Sequence, residues 1–149
     1  MSNFYDAIIV GGGPAGLSAA IYMARARFRV LVIEKEKMGG QITITSEVVN
    51  YPGVFSTNGE KLTQEMVRQA KAFGAEFLTA TVTSLDLEGD YKTVHTDHGD
   101  FVTLGVVYAA GAHPRLAGFT GESDFRGHGV AYCATCDGEF FTGKDIFVI

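Results

Sequence analysis

One stretch near the amino terminus decides the fold, Ala7-Ile8-Ile9-Val10 followed at once by Gly11-Gly12-Gly13-Pro14-Ala15-Gly16. The apolar run is short and unbroken, which is typical of a strand buried on both faces. Residues 15–27 are alanine-rich and suited to a helix. A second apolar run, Val30-Leu31-Val32-Ile33, ends at Glu34. Strand, helix and strand in so short a stretch predict a βαβ unit with a right-handed crossover.

The glycine-rich segment fits the pattern G-x-G-x-x-G, which by itself is a weak signal. Here a strand precedes it, a helix opens at its end, and Glu34 follows 18 residues after Gly16; dinucleotide binding requires this context. Gly11 permits the tight turn, Gly13 lets backbone amides approach a pyrophosphate, and Gly16 allows close packing of helix on strand. The alternative is an ordinary glycine turn in an α/β protein.

This predicted site favours FAD or NAD over NADP. The helix amino terminus supplies about half a positive charge towards the phosphates. Glu34 would accept hydrogen bonds from the adenosine ribose hydroxyls, and its carboxylate would repel a 2′-phosphate. Pro14 stands at the first helical position, which tolerates its missing N–H. Pro14, Ala15 and Lys35 are assigned to the same cofactor site.

The middle of the chain predicts a long connection, a helix and several short strands. Residues 35–58 show no sustained period, and a connection of that length in a compact domain is usually functional. A helix is predicted over 59–73, with Asn58 as its N-cap, Gly74 after its end and an apolar stripe of Leu62, Met66, Ala70 and Phe73. Short strands are predicted over 75–81, 82–87, 91–96 and 101–103 as a small meander, and a further buried strand over 105–109.

Composition and charge argue against several classes of protein. A length of 149 residues fits one domain or a little more, and 46% apolar residues lie well outside disordered compositions. The net charge of −5 argues against nucleic-acid or anionic-membrane binding. No stretch approaches the roughly 18 apolar residues that span a bilayer. No secretory signal is visible at the start of the chain, so we expect a cytoplasmic protein.

The second chemical signal is Cys133-Ala134-Thr135-Cys136-Asp137, which contains both cysteines of the chain. Cytoplasmic thiols are kept reduced, so a close pair is more often catalytic or metal-binding than a structural crosslink. In a dithiol reductase one sulfur attacks a substrate disulfide and the other resolves the mixed disulfide. Asp137 is placed in sequence to exchange a proton with a departing thiolate. Two alternatives stay open, namely inert paired thiols and half of a zinc site, although zinc needs about four ligands and no second C-x-x-C exists.

Four motifs together resemble the low-molecular-weight thioredoxin reductase family: Gly11–Gly16, Gly39-Gly40-Gln41, Asn50-Tyr51-Pro52-Gly53 and Cys133–Gly138. They occur in the family's order and approximate spacing, from about Tyr5 to the last residue. The resemblance implies an α/β, Rossmann-like FAD-binding domain of three-layer ββα type with a small β-meander over residues 1–112. It implies a linker and the start of an NADPH/redox-disulfide domain over residues 113–149. No cysteine precedes Cys133, which disfavours the glutathione-reductase branch.

The resemblance also implies roles for residues outside the glycine motif. In that family Gly40 and Gln41 lie along the flavin, Asn50 contacts the isoalloxazine, and Val82 lies near the adenine. Ala110-Gly111 is assigned to the same site, although the family usually has Ala-Thr-Gly where this chain has Ala109-Ala110-Gly111.

The implied activity is passage of electrons from NADPH through FAD to the Cys133–Cys136 disulfide and on to a thioredoxin-like protein, in a homodimer. Cys136 would face the flavin, Cys133 would attack the partner's disulfide, and Asp137 would be the acid/base. Residues 144–149 would form the first strand of a second dinucleotide domain, so the NADPH site would be missing and this truncated chain would be inactive alone. Alternatives are an isolated FAD-binding fragment without catalytic activity, a ferredoxin-dependent reductase, or a reductase serving a peroxidase system.

Overall fold

The computed structural model describes residues 3–149, apart from the side chains of Thr135 and Cys136. The chain divides into two compact units, Met1–Gly111 and Ala112–Ile149. The domain boundary expected from the sequence, between residues 112 and 113, stays a prediction. The assignment of the two units to cofactor and redox roles stays a prediction.

The first unit is built on one six-stranded sheet with two helices. Its strands are β1 (Phe4–Val10), β2 (Val30–Glu34), β3 (Glu76–Thr79), β4 (Val82–Asp86), β5 (Lys92–Thr96) and β6 (Gly99–Tyr108), and its helices are α1 (Pro14–Arg25) and α2 (Gly59–Ala72). The strand order is β3-β2-β1-β6-β5-β4. The first four strands of that order run parallel, whereas β4, β5 and β6 form an antiparallel meander.

The predicted βαβ unit is confirmed in β1, α1 and β2. The apolar runs pair in parallel register, with Ala7 opposite Val30 and Val10 opposite Ile33. The helix ends at Arg25 rather than at Arg27, because Arg27 takes a positive φ of 70°. That left-handed residue turns the chain back towards β2, since a left-handed residue cannot continue a right-handed helix.

The two faces of the parallel strands bury different layers, which confirms the three-layer α/β fold class. On one face Ile9, Val30 and Val32 pack with alanines of α1 and α2. On the other face Ile8, Leu31 and Ile33 share a core with residues of the meander: Val82, Leu85, Val94 and Phe101. Successive residues of a strand point to opposite faces, so strands without polar alternation have a covering layer on each side.

One ten-residue strand, β6, replaces the two separate strands predicted over 101–103 and 105–109. Residues 99–103 of β6 pair with β5, and residues 102–108 pair with β1, ending with Tyr108 opposite Val10. The meander is therefore continuous with the parallel sheet. The expectation that residues 105–109 are fully buried is wrong, since Tyr108 is 74% exposed.

Helix α2 begins and ends where local sequence predicts. The Asn58 side chain accepts a hydrogen bond from the Lys61 amide at 2.8 Å, and Gly74 has a φ of 98° after the helix end. Three of the four predicted stripe residues are buried: Leu62, Met66 and Ala70. The fourth, Phe73, is 44% exposed, because it caps the helix beyond its last turn.

The second unit contains little regular structure among its described residues. A short helix, α3 (Ala134–Asp137), is followed by a 3-10 turn over Gly138–Phe141. Residues 144–149 form no strand in the structure, and Phe147, Val148 and Ile149 are each more than 90% exposed. The predicted terminal strand is therefore not formed, since a strand needs a hydrogen-bonded neighbour to persist.

Candidate functional site

The glycine loop follows β1 and is packed against the end of β6. Gly11 has a φ of 110°, and a Cβ atom there would lie 2.2 Å from the carbonyl oxygen of Ala109. A Cβ atom on Gly16 would lie 2.0 Å from the carbonyl oxygen of Gly11. Real Cβ contacts are never so short, so the tight turn and the close helix packing both require glycine, as the motif predicts.

Gly12 was given no role by the sequence pattern, yet it is enclosed by two side chains rather than by backbone. A Cβ atom there would lie 2.4 Å from Met38 Sδ and 3.1 Å from Glu34 Cβ. The run of three glycines could have revealed this constraint, because the pattern G-x-G requires glycine only at Gly11 and Gly13.

Gly13 differs from the other glycines of the loop because its Cβ direction is open. It is the N-cap of α1, with φ −79° and ψ −178°. A Cβ atom there would meet nothing closer than 3.9 Å, the carbonyl oxygen of Gly39 and the Cα of Gly40. The first turn of α1 carries no acidic side chain. The positive end of the helix dipole is therefore not neutralised from within α1 and faces a space that could accept an anion.

Glu34 ends β2 and turns its carboxylate to the glycine loop. Its Oε2 accepts a hydrogen bond from the Gly12 amide at 2.8 Å, and its Oε1 accepts one from the Glu36 amide at 3.2 Å. A carboxylate has about four acceptor positions. Those two bonds therefore leave capacity for the hydroxyls of a ribose.

The turn at Gly39 and Gly40 lies directly on the glycine loop. The Gly39 amide donates to the carbonyl oxygen of Gly12 at 2.8 Å, and a Cβ atom on Gly40 would lie 3.1 Å from Gly13 Cα. A 3-10 turn follows over Gly40–Ile44. Two glycine segments that are distant in sequence thus form one cradle, which brings Gly40 to the predicted cofactor site and places Gln41 next to it in the chain.

The 3-10 turn packs closely against the start of α2 at Gly59, a glycine to which the sequence analysis assigned no role. A Cβ atom on Gly59 would lie 1.6 Å from the carbonyl oxygen of Ile42, and the Gly59 amide donates to Thr45 at 3.0 Å. The only sequence signal was a glycine at the first helical position, where other residues are usually preferred.

Of the other predicted cofactor residues, Ala110 lies close to the glycine loop, and the positions of Val82, Asn50 and Lys35 are described by their own surroundings. Ala110 adjoins the loop, since a Cβ atom on Gly11 would lie 3.0 Å from Ala110 Cα. Val82, the first residue of β4, is half-buried and packs against the core cluster that contains Ile8 and Leu31. Asn50 is exposed in the loop enclosed by the Val48–Thr57 bridge, and the Lys35 ammonium lies 3.5 Å from the carboxylate of Glu36.

The C-x-x-C segment, Cys133–Cys136, belongs to the second unit. Cys133 is half-buried and disulfide-bonded, and its carbonyl oxygen accepts the Asp137 amide at 2.9 Å, which closes α3. Asp137 is half-buried as the last residue of that helix. The predicted role of the Cys136 side chain lies outside the described residues.

A buried carboxylate lies close in sequence to the C-x-x-C segment. Glu122 is 4% exposed and accepts hydrogen bonds from the amides of Ala117 and Gly118 at 2.9 and 2.6 Å and from the Tyr132 hydroxyl at 2.8 Å. These bonds, that of Ala117 first, lower the pKa of Glu122, and the bond to Glu122 raises the pKa of Tyr132. Sequence reasoning gave Glu122 no role, because its partners are five or more residues away or main-chain groups.

The described residues contain neither a metal-binding cluster nor a membrane-spanning helix. Among them no group of three or more histidine, cysteine, aspartate or glutamate side chains is arranged to hold a metal ion. None of the helices in this part of the chain combines the length and apolar character needed to cross a membrane.

The chain is similar to known disulfide reductases. The family model described as pyridine nucleotide-disulphide oxidoreductase matches residues 5–149. The thioredoxin reductase of Peptoclostridium acidaminophilum is 47% identical over 150 residues, covering 100% of this chain and 48% of that protein. The thioredoxin reductase of Bacillus subtilis is 42% identical over 147 residues, covering 99% and 46%.

Solved structures show the same relation. The structure of thioredoxin reductase from Streptococcus pyogenes is 38% identical, with a TM-score of 0.83 over 95% of this chain and 46% of that one. A ferredoxin-flavin thioredoxin reductase from Clostridium acetobutylicum is 28% identical, with a TM-score of 0.69 over 93% and 48%.

This chain spans about half the length of the relatives it matches. The residues that the family model matches, 5–149, include the glycine cradle, Glu34 and both cysteines. The chain therefore belongs to the pyridine nucleotide-disulphide oxidoreductase family, and its resemblance within that family is to the thioredoxin reductases.

Proposed function

We propose that this chain supplies the FAD-binding and redox-disulfide segments of a thioredoxin reductase-like flavoprotein. The observation that carries the proposal is the open cradle at Gly13, where an uncapped helix amino terminus faces space between two glycine segments. The residues present fit a dinucleotide, because an anion-binding helix end and a ribose-binding carboxylate lie side by side.

The residues that would hold FAD follow from this geometry and from the resemblance. The first turn of α1, from Gly13 onward, would bind the pyrophosphate, and Glu34 would accept hydrogen bonds from the adenosine ribose. We assign the flavin end to Gly40, Gln41, Asn50 and Ala110-Gly111, and the adenine end to Val82. Pro14, Ala15 and Lys35 complete the proposed set.

The chemistry that FAD supplies in such a protein is the passage of two electrons between a pyridine nucleotide and a disulfide. In the dithiol state the Cys133 thiolate would attack a partner disulfide, releasing one partner thiolate that takes a proton from Asp137. Cys136 would then displace the second partner thiolate, which leaves the partner as a dithiol and the Cys133–Cys136 pair oxidised.

We propose NADPH as the electron donor, a thioredoxin-like protein as the substrate, and a homodimer in the cytoplasm as the form of the intact protein. A ferredoxin donor is the second candidate, because one structural neighbour is a ferredoxin-flavin thioredoxin reductase. The two donors are distinguished by adding NADPH or reduced ferredoxin to the intact flavoprotein. The visible absorption of the flavin then shows which donor reduces it.

The cofactor proposal is tested by titrating the chain with FAD and following flavin fluorescence. We expect saturable binding with one FAD per chain. Gly13→Val should weaken binding at least about tenfold while the chain stays folded, because the new side chain enters open space that the pyrophosphate needs. Gly105→Ala is the matched control, since a Cβ atom there meets nothing within 4 Å. Failure of the unaltered chain to bind FAD, or equal binding by Gly13→Val, contradicts the proposal.

The cysteine roles are tested by trapping a mixed disulfide with a thioredoxin-like protein. Cys136→Ser should form a stable covalent complex, because Cys133 attacks and no resolving thiol remains. Cys133→Ser is the matched control and should form none. A complex that forms equally well with Cys133→Ser would show that the assignment of the attacking sulfur is wrong.

A further inference from the structure

The turn between β5 and β6 is hydrogen-bonded to the segment that joins β3 to β4. The Asp97 amide donates to the carbonyl oxygen of Thr81 at 3.1 Å, and Asp97 Oδ1 accepts the Thr81 amide at 2.9 Å. One residue thus satisfies both main-chain polar groups of Thr81.

The same segment is tied on its other side to the end of β2. The Ala80 amide donates to the carbonyl oxygen of Glu34 at 3.0 Å. Immediately after Thr81 the pairing of β4 with β5 is irregular, with a shift in register between Val82 and Ser84. Such bulges redirect side chains and are frequent beside binding sites. Residues 80–82 are therefore held at the carboxyl end of β2, where open α/β sheets bind their ligands.

Asp97 is itself held in place for this contact. His98 Nδ1 lies 2.8 Å from Asp97 Oδ1, and the His98 amide donates to the Thr96 hydroxyl at 3.0 Å. The hydrogen bond with His98, and after it the bond from the Thr81 amide, lower the pKa of Asp97. The carboxylate is therefore ionised at neutral pH and accepts a charge-assisted hydrogen bond from Thr81.

We propose that Asp97 is a positioning residue for the adenosine half of the dinucleotide, acting through Thr81 to hold residues 80–82 beside Glu34. The inference rests on the proposed binding of FAD at the glycine cradle and adds a residue 63 positions beyond Glu34 to that site. The carboxylate acts by geometry, because a negative charge near a diphosphate would by itself oppose binding.

The test compares ligand affinities of the chain and its variants, measured by titration with FAD and with ADP, which shares only the adenosine diphosphate half. Asp97→Ala should weaken both ligands about tenfold, because residues 80–82 are then no longer held in place and must be ordered when the ligand binds. Asp97→Asn keeps an acceptor oxygen for Thr81 and should bind within about twofold of the unaltered chain. Asp86→Ala is the matched control, because Asp86 accepts the Glu88 amide at 3.4 Å in the other turn of the meander and should change neither affinity.

Each other outcome overturns the inference in a recognisable way. Equal affinities for Asp97→Ala and the unaltered chain would remove the role of Asp97 and leave the FAD proposal standing. A loss for FAD alone would place the effect on the flavin half. Loss in Asp97→Asn equal to that in Asp97→Ala would show that charge, and not the bond to Thr81, matters. If the unaltered chain binds no FAD, the proposed function fails and this inference with it.

A second variant covers the case in which Asp97→Ala does not fold. Asp97→Glu keeps the charge but moves the carboxylate by one methylene from the Thr81 amide. It should weaken FAD and ADP several-fold, and affinities equal to those of the unaltered chain would overturn the inference.

Discussion

At the scale of single residues, the four glycines of the loop have different surroundings and therefore different roles. Gly11 and Gly16 are enclosed by backbone atoms, and Gly12 is enclosed by the side chains of Met38 and Glu34. Gly13 alone of the four faces open space. Substitution at the enclosed glycines therefore affects folding, whereas substitution at Gly13 affects what the loop can bind.

We predict that Gly16→Ala lowers the free energy of unfolding by about 3 kcal/mol, because its Cβ would lie 2.0 Å from a backbone oxygen of Gly11 and neither helix nor strand can yield cheaply. Gly13→Ala should cost no more than about 1 kcal/mol, the difference between glycine and alanine as N-cap. Urea denaturation of the cofactor-free chain measures both. Equal losses in the two variants would show that the enclosure of Gly16 does not matter for stability.

At the scale of elements, the start of α2 combines a local cap with a distant contact. Asn58 accepts a hydrogen bond from the helix's own Lys61 amide, whereas Gly59 leaves room for the carbonyl oxygen of Ile42 in the 3-10 turn over residues 40–44. The first interaction lies within four consecutive residues and could be predicted. The second depends on how residues 40–44 fold over the helix and could not.

We predict that Asn58→Ala lowers the free energy of unfolding by about 1 kcal/mol, because the Lys61 amide loses its acceptor. Asn58→Asp should equal or exceed the unaltered chain, since it keeps the acceptor and adds a negative charge at the helix amino terminus. The midpoint of urea denaturation measures the effect, and an unchanged midpoint in Asn58→Ala would contradict it.

The turn around Glu122 should open at acid pH. Hydrogen bonds from main-chain amides lower the pKa of Glu122 from its ordinary value of 4.5. A carboxyl whose pKa is lower in the folded state stabilises that state above the unfolded pKa, and this stability is lost as the pH falls through the folded value. We therefore expect the Ala117 and Gly118 amides to lose protection from hydrogen exchange as the pH falls below 4.5.

Glu122→Gln is the control for this pH dependence. It should lower protection at neutral pH, because its NH2 group meets an amide donor, and it should show no further acid step. An acid step that persists in Glu122→Gln would assign the opening to another group.

At the scale of the whole molecule, the chain consists of two units joined by an exposed segment. Residues 109–119 contain no regular structure, and residues 110–120 are all exposed. Exposed segments of this kind are where proteases cut first.

We predict that limited trypsin digestion cuts first after Arg115, and that the fragment ending there keeps the FAD affinity of the whole chain. Mass spectrometry identifies the cut, and titration with FAD tests the fragment. Arg115→Gln should delay the first cleavage. A first cut elsewhere, or loss of FAD binding with the carboxyl-terminal fragment, would show that the division does not separate the proposed cofactor unit.

Much of the fold could be predicted because its signals are local. Unbroken apolar runs around Ile8 and Leu31 predict strands buried on both faces, and the three glycines with Glu34 predict a dinucleotide crevice. Asn58 and Gly74 bracket a helix whose end was placed within one residue. Each of these depends on sterics or periodicity within a few neighbouring positions, which the sequence states directly.

The sequence by itself thus determined the α/β class, the family and the glycine motif. Only the tertiary structure decided that Met38 packs on Gly12 and that Ile42 contacts Gly59. It also decided that β6 is one continuous strand and that Asp97 bonds to Thr81. Three of these contacts join residues between 16 and 26 positions apart, and β6 pairs with β1 on one side and with β5 on the other. Their partners become neighbours only after the strands have paired, so no local pattern of residue types records them.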